Sequence, residues 1–186
     1  MSGPTQRERM MAGELYESWD PELIDLRGRA RQLTARFNAT PQENEEQRLA
    51  LMRELFAEVG AGAWIEPPFQ CDYGWNISLG ERTFMNFNCV ILDCAPVNIG
   101  ALTKLGPAVQ LCTAAHPVDP DERATGREYA RPITIGTNVW VGASVIVGPG
   151  VTIHDECVIG AGSVVLNDVP ARAFAAGAPC RVLRTL

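Results

Sequence analysis

The chain contains two histidines, His116 and His154, and histidine is the side chain best suited to exchange a proton near neutral pH. His116 stands immediately before a charged segment, residues 117–132, that contains three prolines and a glycine. A histidine there should stand at the rim of a cleft, where it can exchange a proton with a bound ligand. We therefore predict that His116 is a general base and that His154 is an exposed turn side chain.

The elements that must position His116 follow from a six-residue repeat. Residues 135–170 divide into six hexapeptides whose first residue is always isoleucine or valine, and in four of them glycine comes next. These first residues are Ile135, Val141, Val147, Ile153, Ile159 and Val165. A period of six matches neither a helix nor simple alternation, so it indicates a stacked repeat.

The repeat begins earlier in the chain and is interrupted once. Its earlier first positions are Leu79, Met85, Ile91 and Val97, followed after a two-residue slip by Ile99, Leu105 and Leu111. With three hexapeptides to a turn, we predict coils at residues 79–96, 99–116, 135–152 and 153–170. Segment 117–132 is then a loop ejected from the stack. Because long loops inside a compact repeat are uncommon unless they are functional or disordered, this loop is a candidate part of the site.

Residues 5–60 have helical periodicity and form the predicted cover of the stack. The pattern predicts a first helix over roughly residues 5–19, with Met11, Leu15, Tyr16 and Trp19 at helical spacing, and a second that begins with Asp20 and Pro21. A third helix is expected to begin at a capping box formed by Thr40 and Glu43 and to end at Gly60. The predicted domains are a helical region, 1–62, and a repeat domain, 63–186, with a C-terminal segment at 171–186.

Composition excludes several classes of partner. The net charge is −6 and the isoelectric point is near 5.0, which argues against a nucleic-acid backbone or an anionic membrane surface. The six cysteines include no C-x-x-C pair, which is typical of thiols in a reducing cytoplasm. No apolar run approaches the roughly 20 residues of a membrane span.

Several motifs give the chain a resemblance to the hexapeptide-repeat acyltransferases, of the maltose and galactoside O-acetyltransferase type. They are M-A-G-E-L-Y at 11–16, E-P-P-F-x-C-D-Y-G at 66–74, N-F-N-C-V-I-L-D at 86–93, A-H-P-V-D-P at 115–120 and P-I-T-I-G-T-N-V-W-V-G at 132–142. The resemblance implies a left-handed parallel β-helix with an N-terminal helical region and a short C-terminal helix or tail. It also implies a homotrimer with active sites between subunits, acetyl-CoA as co-substrate, a small sugar acceptor and no metal.

The resemblance also implies roles for individual residues. His116 would be the base for direct attack of a hydroxyl on the thioester, and the Asn86 amide would stabilise the oxyanion. Asp72 and Asp93 would bind the acceptor sugar, since carboxylates suit vicinal hydroxyls. Glu128 could orient His116, reach the sugar, or be a solvated charge of the loop. Tyr16 could line the acceptor site if the helical layer folds over the stack.

Coenzyme A is expected along the later coils. Small side chains at Ala143 and Ala161 would let the pantetheine arm approach the backbone, while Trp140 could pack on that arm, on the His116 ring, or between subunits. The motif G-A-P-C-R-V-L-R spans residues 177–184. If this segment is helical, Arg181 and Arg184 share one face and would bind the phosphates of coenzyme A. Leu166 and Asn167 occupy positions where the family usually carries a cationic pair.

Two departures bear on the acceptor. Cys94 and Ser18 stand where galactoside enzymes carry acidic residues, so the sequence favours a maltose or glucose acceptor. The alternatives are another acceptor, such as a xenobiotic or a serine hydroxyl, and a non-catalytic β-helix scaffold. A γ-type carbonic anhydrase is excluded because it needs three histidines on its metal, and the chain has two.

Overall fold

A computed structural model describes residues 3–186 as a parallel β-helix beneath a helical cover. Four helices are present in this range: α1 (Gln6–Ala12), α2 (Pro21–Ala39), α3 (Glu45–Leu55) and α4 (Pro120–Arg123). Helix α2 begins as predicted, with the Asp20 side chain accepting the Glu22 N–H at 3.0 Å and Pro21 in the first turn.

The first helix is shorter than predicted. Thr5 and Glu8 form a capping box at its start, and Gly13 ends it with a φ of 70°, a left-handed conformation that glycine adopts without strain. Met10 is its buried residue, whereas Met11 is 39% exposed. The predicted stripe through Met11 and Trp19 is therefore wrong, because the helix ends before Trp19.

The start and end of the third helix also differ from the prediction. Asn44 precedes α3 and makes no side-chain cap, while the Thr40 hydroxyl donates backward to the Arg36 carbonyl at 2.7 Å and closes α2. The predicted capping box is thus wrong, since Thr40 is already committed to the preceding helix. Helix α3 ends at Leu55 instead of Gly60, and a β-strand follows at Glu58–Val59.

The remaining elements are short strands, numbered β1 to β19 in chain order. They span Glu58–Val59, Trp64–Ile65, Gln70–Cys71, Ile77–Leu79, Phe84–Met85, Val90–Leu92, Val97–Ile99, Lys104–Leu105, Gln110–Cys112, Ala114–Ala115, Tyr129–Ala130, Ile133–Ile135, Trp140–Val141, Ile146–Val147, Thr152–Ile153, Val158–Ile159, Val164–Val165, Ala173–Ala176 and Arg181–Thr185.

Three sheets form the faces of the β-helix. The first has the order β1-β4-β7-β12-β15, the second β19-β18-β16-β13-β8-β5-β2, and the third β17-β14-β9-β6-β3. Each turn of the chain visits the three sheets in succession, so there are three corners, called here corners 1–2, 2–3 and 3–1 after the sheets that they join. Paired parallel strands are about 4.8 Å apart, which is the rise per coil.

The first positions of the hexapeptides stack as predicted. Leu79 pairs with Ile99, Ile99 with Ile135, and Ile135 with Ile153, and all four side chains are buried. Each such burial contributes roughly 1.5–3 kcal/mol, which explains why the branched aliphatic residue recurs. The predicted repeat omits one coil, whose first positions are Val59, Ile65 and Cys71. It omits this coil because the prediction assigns Gly60 to the end of the third helix, whereas Gly60 is the glycine that follows a first position.

Segment 117–132 leaves the stack as predicted, but it is ordered by its own pairing. Strands β10 and β11 pair antiparallel, Ala114 with Ala130 and Ala115 with Tyr129, and α4 lies between them. The segment is called the hairpin arm below. At its base, the Arg131 N–H donates to the Thr113 carbonyl at 2.9 Å, which returns the chain to the first sheet.

The C-terminal segment forms a β-hairpin rather than a helix. Strand β18 adds to the second sheet by pairing with β16, and β19 folds back antiparallel on β18. Of the two predicted forms, a helix or a tail, the helix is wrong, because the open edge of the second sheet offers unpaired backbone groups with which the chain pairs after the last coil. Within residues 3–186, no helix combines the length and hydropathy needed to cross a bilayer.

Candidate active site

A cavity of about 490 Å³ lies at corner 3–1, between the stack, the start of α2 and the hairpin arm. Its lining combines ionisable side chains with small and apolar ones. The lining residues are Ser18, Trp19, Ile24, Arg27, Arg31, Asp72, Leu92, Cys94, Ala114, Ala115, His116 and Glu128. This volume is in the range of small-molecule sites.

His116 stands at the rim of this cavity, directly after β10. Its Nδ1 lies 3.3 Å from the backbone oxygen of Arg127, and its Nε2 lies 3.9 Å from Oε1 of Glu128. Because a carbonyl oxygen only accepts, the first contact requires a hydrogen on Nδ1, which leaves Nε2 free to accept a proton in the neutral ring. The geometry therefore suits a general base that works through Nε2.

Glu128 is held in place from the N-terminal region. The Tyr16 hydroxyl donates to Oε2 of Glu128 at 2.9 Å, and the two backbones bridge, with Tyr16 N–H to Glu128 O at 2.9 Å and Glu128 N–H to Tyr16 O at 3.1 Å. Burial, with Cys94 and Glu128 close by, raises the pKa of Tyr16, so it remains a phenol that can donate. Tyr16 is buried and does not line the cavity, which it meets through Glu128 and Cys94, so the predicted direct contact with the acceptor is replaced by an indirect one.

Asp72 lines the cavity from the stack side, where its Oδ2 accepts from the Cys94 thiol at 3.6 Å. Burial raises the pKa of its carboxyl, while Cys94 and Arg27 act in the opposite direction. Arg27 is anchored beside it, since its Nη1 donates to the Tyr73 hydroxyl at 2.7 Å and its Nη2 to the Ser18 carbonyl at 2.6 Å. Asp72 and Arg27 together offer both acceptors and donors to a polyhydroxyl ligand.

Asp93, predicted to bind the acceptor, does not reach the cavity. It is 0% exposed, and its Oδ1 accepts the backbone N–H groups of Asp72 at 3.1 Å and Tyr73 at 2.8 Å. Its Oδ2 accepts the Asn76 N–H at 3.4 Å. The prediction is wrong because the carboxylate satisfies the turn that carries Asp72. Burial raises the pKa of Asp93 to about 6 against the opposing effect of these N–H donors.

Asn86 lies at corner 2–3, on a different corner from His116. It follows β5, and its Oδ1 accepts the Phe87 N–H at 2.7 Å. The turn beyond it passes through Asn88 with a φ of 61°, a conformation that asparagine tolerates. One sheet face therefore separates Asn86 from His116 within a single chain.

Ala143 and Ala161 lie along the same corner as Asn86. The coils stack there through the Asn86 N–H to the Leu105 carbonyl and the Gly142 N–H to the Ile159 carbonyl, at 2.9 and 2.8 Å. A side chain at Gly142 would come within 2.6 Å of the Ala161 backbone nitrogen, so only glycine allows this stacking. Corner 2–3 thus presents small residues in a row, with Asn86 at one end.

The other residues predicted to bind coenzyme A divide between a sheet face and corner 3–1. Trp140 is 59% exposed on the outer face of the second sheet, beside Lys104, with which it pairs. Leu166 and Asn167 follow β17 at corner 3–1, and Asn167 shares a cavity of about 240 Å³ with Arg181. A single chain does not bring these residues into one groove with Ala143 and Ala161.

Arg181 and Arg184 share one face, although not for the reason predicted. Arg181 pairs with Ala176 and Arg184 with Phe174, and an irregularity between Phe174 and Ala175 leaves one extra residue in β19. Cross-strand partners share a face, so both arginines point outward. In a regular strand, two residues three positions apart would point to opposite faces, and the bulge removes that difference. The Arg184 guanidinium lies 5.6 Å from the Phe174 ring centroid.

Sequence reasoning missed Trp19, Arg27 and Arg31 as cavity residues. The spacing of Arg27 and Arg31, four apart on α2, places them on one helix face, but nothing in the sequence indicates which element that face meets. His154 is exposed, as predicted. Across residues 3–186, no group of three or more histidine, cysteine or acidic side chains is arranged to hold a metal ion.

Comparison with known proteins places these features in context. A family model described as the maltose acetyltransferase hexapeptide capping motif matches residues 9–60, and one for the bacterial transferase hexapeptide, with six repeats, matches residues 132–167. Nodulation protein L of Rhizobium meliloti (strain 1021) is 52% identical over 179 residues, covering 96% of this chain and 97% of that protein.

Solved structures give the same result over the whole chain. The crystal structure of a maltose O-acetyltransferase from Clostridium difficile 630 matches with a TM-score of 0.97 and 43% identity, covering 100% of this chain and 99% of that one. Galactoside acetyltransferase in complex with coenzyme A matches with a TM-score of 0.94 and 43% identity, covering 98% of this chain and 92% of that one.

Proposed function

The chain belongs to the hexapeptide-repeat O-acetyltransferases of the maltose and galactoside type, and from that premise we propose that it acetylates a sugar of the maltose or glucose type, with acetyl-CoA as donor. The observation that carries this proposal is His116 at the rim of a polar cavity, with Nε2 free and 3.9 Å from the Glu128 carboxylate. The coenzyme A complex of a 43% identical structure supports the choice of donor.

The proposed reaction is a direct transfer. His116 Nε2 accepts the proton of the acceptor hydroxyl as that oxygen bonds to the thioester carbonyl carbon. The carbon–sulfur bond then breaks, and the leaving thiolate takes the proton back from His116. The Glu128 carboxylate stabilises the imidazolium that exists between these two steps, because it is held facing the ring by Tyr16.

The active site is proposed to lie between subunits of a homotrimer. The separation of His116 at corner 3–1 from Asn86 at corner 2–3 supports this, because oxyanion stabilisation requires the amide within about 3 Å of the reacting oxygen. If corner 2–3 of a neighbouring copy faces corner 3–1, Asn86 of one chain meets His116 of the next. A closed ring of identical contacts of this kind is the ordinary form of a cyclic oligomer.

Coenzyme A is proposed to lie in the groove between those two corners. The row of small residues at Ala143 and Ala161 lets the pantetheine amides approach the backbone of one chain. Trp140 would pack beside the arm. Leu166 and Asn167 would line the groove from the other chain. Because this pair carries no charge, the outward-facing Arg181 and Arg184 would bind the phosphates instead.

The acceptor is proposed to bind in the cavity beside His116. Asp72 and Arg27 would hold its hydroxyl groups, and the neutral Ser18 and Cys94 support a maltose or glucose acceptor over a galactoside. All six cysteines are free thiols, which supports a reducing location, and we assign the enzyme to the cytoplasm.

A thiol-release assay with acetyl-CoA tests this function. Maltose, glucose, a galactoside, serine and chloramphenicol are compared as acceptors at equal concentration, and the acetylated product is identified by mass spectrometry. We expect the highest kcat/KM with maltose or glucose. Turnover with serine or chloramphenicol alone would contradict the sugar acceptor, and turnover highest with the galactoside would contradict the maltose or glucose preference.

A further inference from the structure

Trp19 is the most exposed large aromatic residue of the cavity wall. Its side chain is 79% exposed, and it lines the same cavity as His116. It belongs to neither of the two apolar cores that residues 3–186 form. A large apolar ring left in water is unfavourable, and tryptophan is a residue that binding sites use for contact area.

The backbone that carries this indole is fixed on both sides. Tyr16 is bridged to Glu128, the Asp20 N–H donates to the Glu17 carbonyl at 3.1 Å, and Arg27 binds the Ser18 carbonyl at 2.6 Å. Asp20 also begins α2 as its N-cap. The exposed ring therefore projects from an ordered turn, which reduces the entropy lost when a ligand packs on it.

The elements around the cavity contribute chemically different side chains. His116, Asp72 and Glu128 come from the stack and the hairpin arm and supply polar groups, while Trp19 and the exposed Ile24 come from the start of α2 and the turn before it and supply apolar surface. We call Trp19 and Ile24 the apolar lip. A pyranose ring has one face of C–H bonds and a rim of hydroxyl groups, so it can pack a face on an aromatic ring while its rim binds polar groups.

We propose that the apolar lip is a subsite for a second sugar ring of the acceptor, and that Trp19 stacks against that ring while the first ring presents its hydroxyl to His116. The proposal rests on the proposed function and specifies its substrate class as a glycoside of at least two rings. A cavity of about 490 Å³ lies within the 300–1,000 Å³ that drug-sized ligands occupy, so it has room for both rings.

The residues beside the lip favour a sugar over another protein surface. Ser18, Arg27 and Arg31 line the same cavity as Trp19, so hydrogen-bond donors are available to a ligand that packs on the indole. The core of a subunit interface is usually depleted of charged residues, whereas a sugar ring needs donors at its rim. The lip is also continuous with the cavity that contains the proposed base.

The test compares one-ring and two-ring acceptors in Trp19→Ala and Trp19→Phe enzymes. With maltose, Trp19→Ala is expected to lower kcat/KM about tenfold, mostly through KM, which corresponds to about 1.4 kcal/mol of lost stacking. With glucose, the change is expected to stay within about twofold, and Trp19→Phe is expected to restore most of the maltose activity. Val118→Ala, which trims an exposed residue of the hairpin arm outside the cavity, is the matched control.

Equal losses with maltose and glucose would overturn the subsite. So would a loss that accompanies a change in oligomeric mass by light scattering, because Trp19 would then pack between copies. If the wild-type enzyme acetylates no sugar, the proposed function fails, and calorimetric titration with maltose and glucose still decides the subsite. Tighter maltose binding that Trp19→Ala abolishes would support it, and equal binding of both sugars, or none, would overturn it.

Discussion

Tyr16 donates a hydrogen bond of 2.9 Å to Glu128, which is 112 residues away in the chain. The other oxygen of the same carboxylate lies 3.9 Å from Nε2 of His116. The N-terminal cover therefore does more than shield the stack, since it fixes the carboxylate that faces the proposed base.

Replacing Tyr16 with phenylalanine should release Glu128 without emptying the buried site. Hydrogen bonds to charged groups are worth about 1.5–3 kcal/mol, so we expect kcat/KM to fall about tenfold and the free energy of unfolding to fall by about the same 1.5–3 kcal/mol. Steady-state kinetics and urea denaturation measure the two effects. Tyr129→Phe in the hairpin arm is the control and should change neither. Unchanged kinetics in Tyr16→Phe, with activity lost in Glu128→Gln, would show that the phenol does not position the carboxylate.

Removing the proposed base should abolish most of the turnover. His116→Ala is expected to lower kcat by about 10²–10⁴-fold, the usual contribution of a positioned base, with little change in unfolding because the ring is half exposed. His154→Ala removes the other, exposed histidine and should behave as wild type. If the two variants retained equal activity, the role of His116 would be refuted.

The separation of His116 and Asn86 on two corners predicts complementation between inactive chains. His116→Ala and Asn86→Ala proteins should each be nearly inactive, and after unfolding and refolding together at equal amounts about one quarter of the intersubunit sites should be intact. Activity near that level supports shared sites. A mixture as inactive as its components, with mixed oligomers present by native mass spectrometry, would place both residues in one chain.

The raised pKa of the buried Asp93 carboxyl predicts that the stability of the fold depends on pH. Its pKa of about 6 in the folded chain exceeds the ordinary value of 3.8, so between about pH 4 and pH 6 the folded state binds the proton more tightly than the unfolded state. The free energy of unfolding should therefore fall as pH rises through this window, by on the order of 3 kcal/mol from this group, and the loss should be complete above it.

Asp93→Asn removes this titration. The variant cannot accept the Asn76 N–H with its amide nitrogen, so it should be less stable than wild type at pH 4.5 and closer to it at pH 8. Urea denaturation at several pH values measures both slopes. Parallel slopes for the two proteins would mean that Asp93 ionises normally.

Much of the fold was predictable because it depends on local periodicity. A first position every six residues decides which side chains are buried, and Ile135, Val141 and Val147 fall on three sheets for that reason alone. The break before Pro132 was visible for the same reason, since an interruption stands out against a regular period. The coil at Val59 and Ile65 was missed because Val59 and Gly60 also fit the end of the preceding helical pattern, so the sequence alone did not show that a strand begins there.

The sequence by itself therefore determined the β-helix, its helical cover, the ejected segment and the position of His116 beside it. Only the tertiary structure decided which groups meet at the cavity, because those contacts join residues that no period relates. Tyr16 reaches Glu128 through a backbone bridge, Asp93 turns inward to satisfy three N–H groups, and a bulge sets the face of Arg181 and Arg184. Periodicity reports which face of the chain is buried, whereas partners across the fold depend on how the cover and the arm pack against the stack.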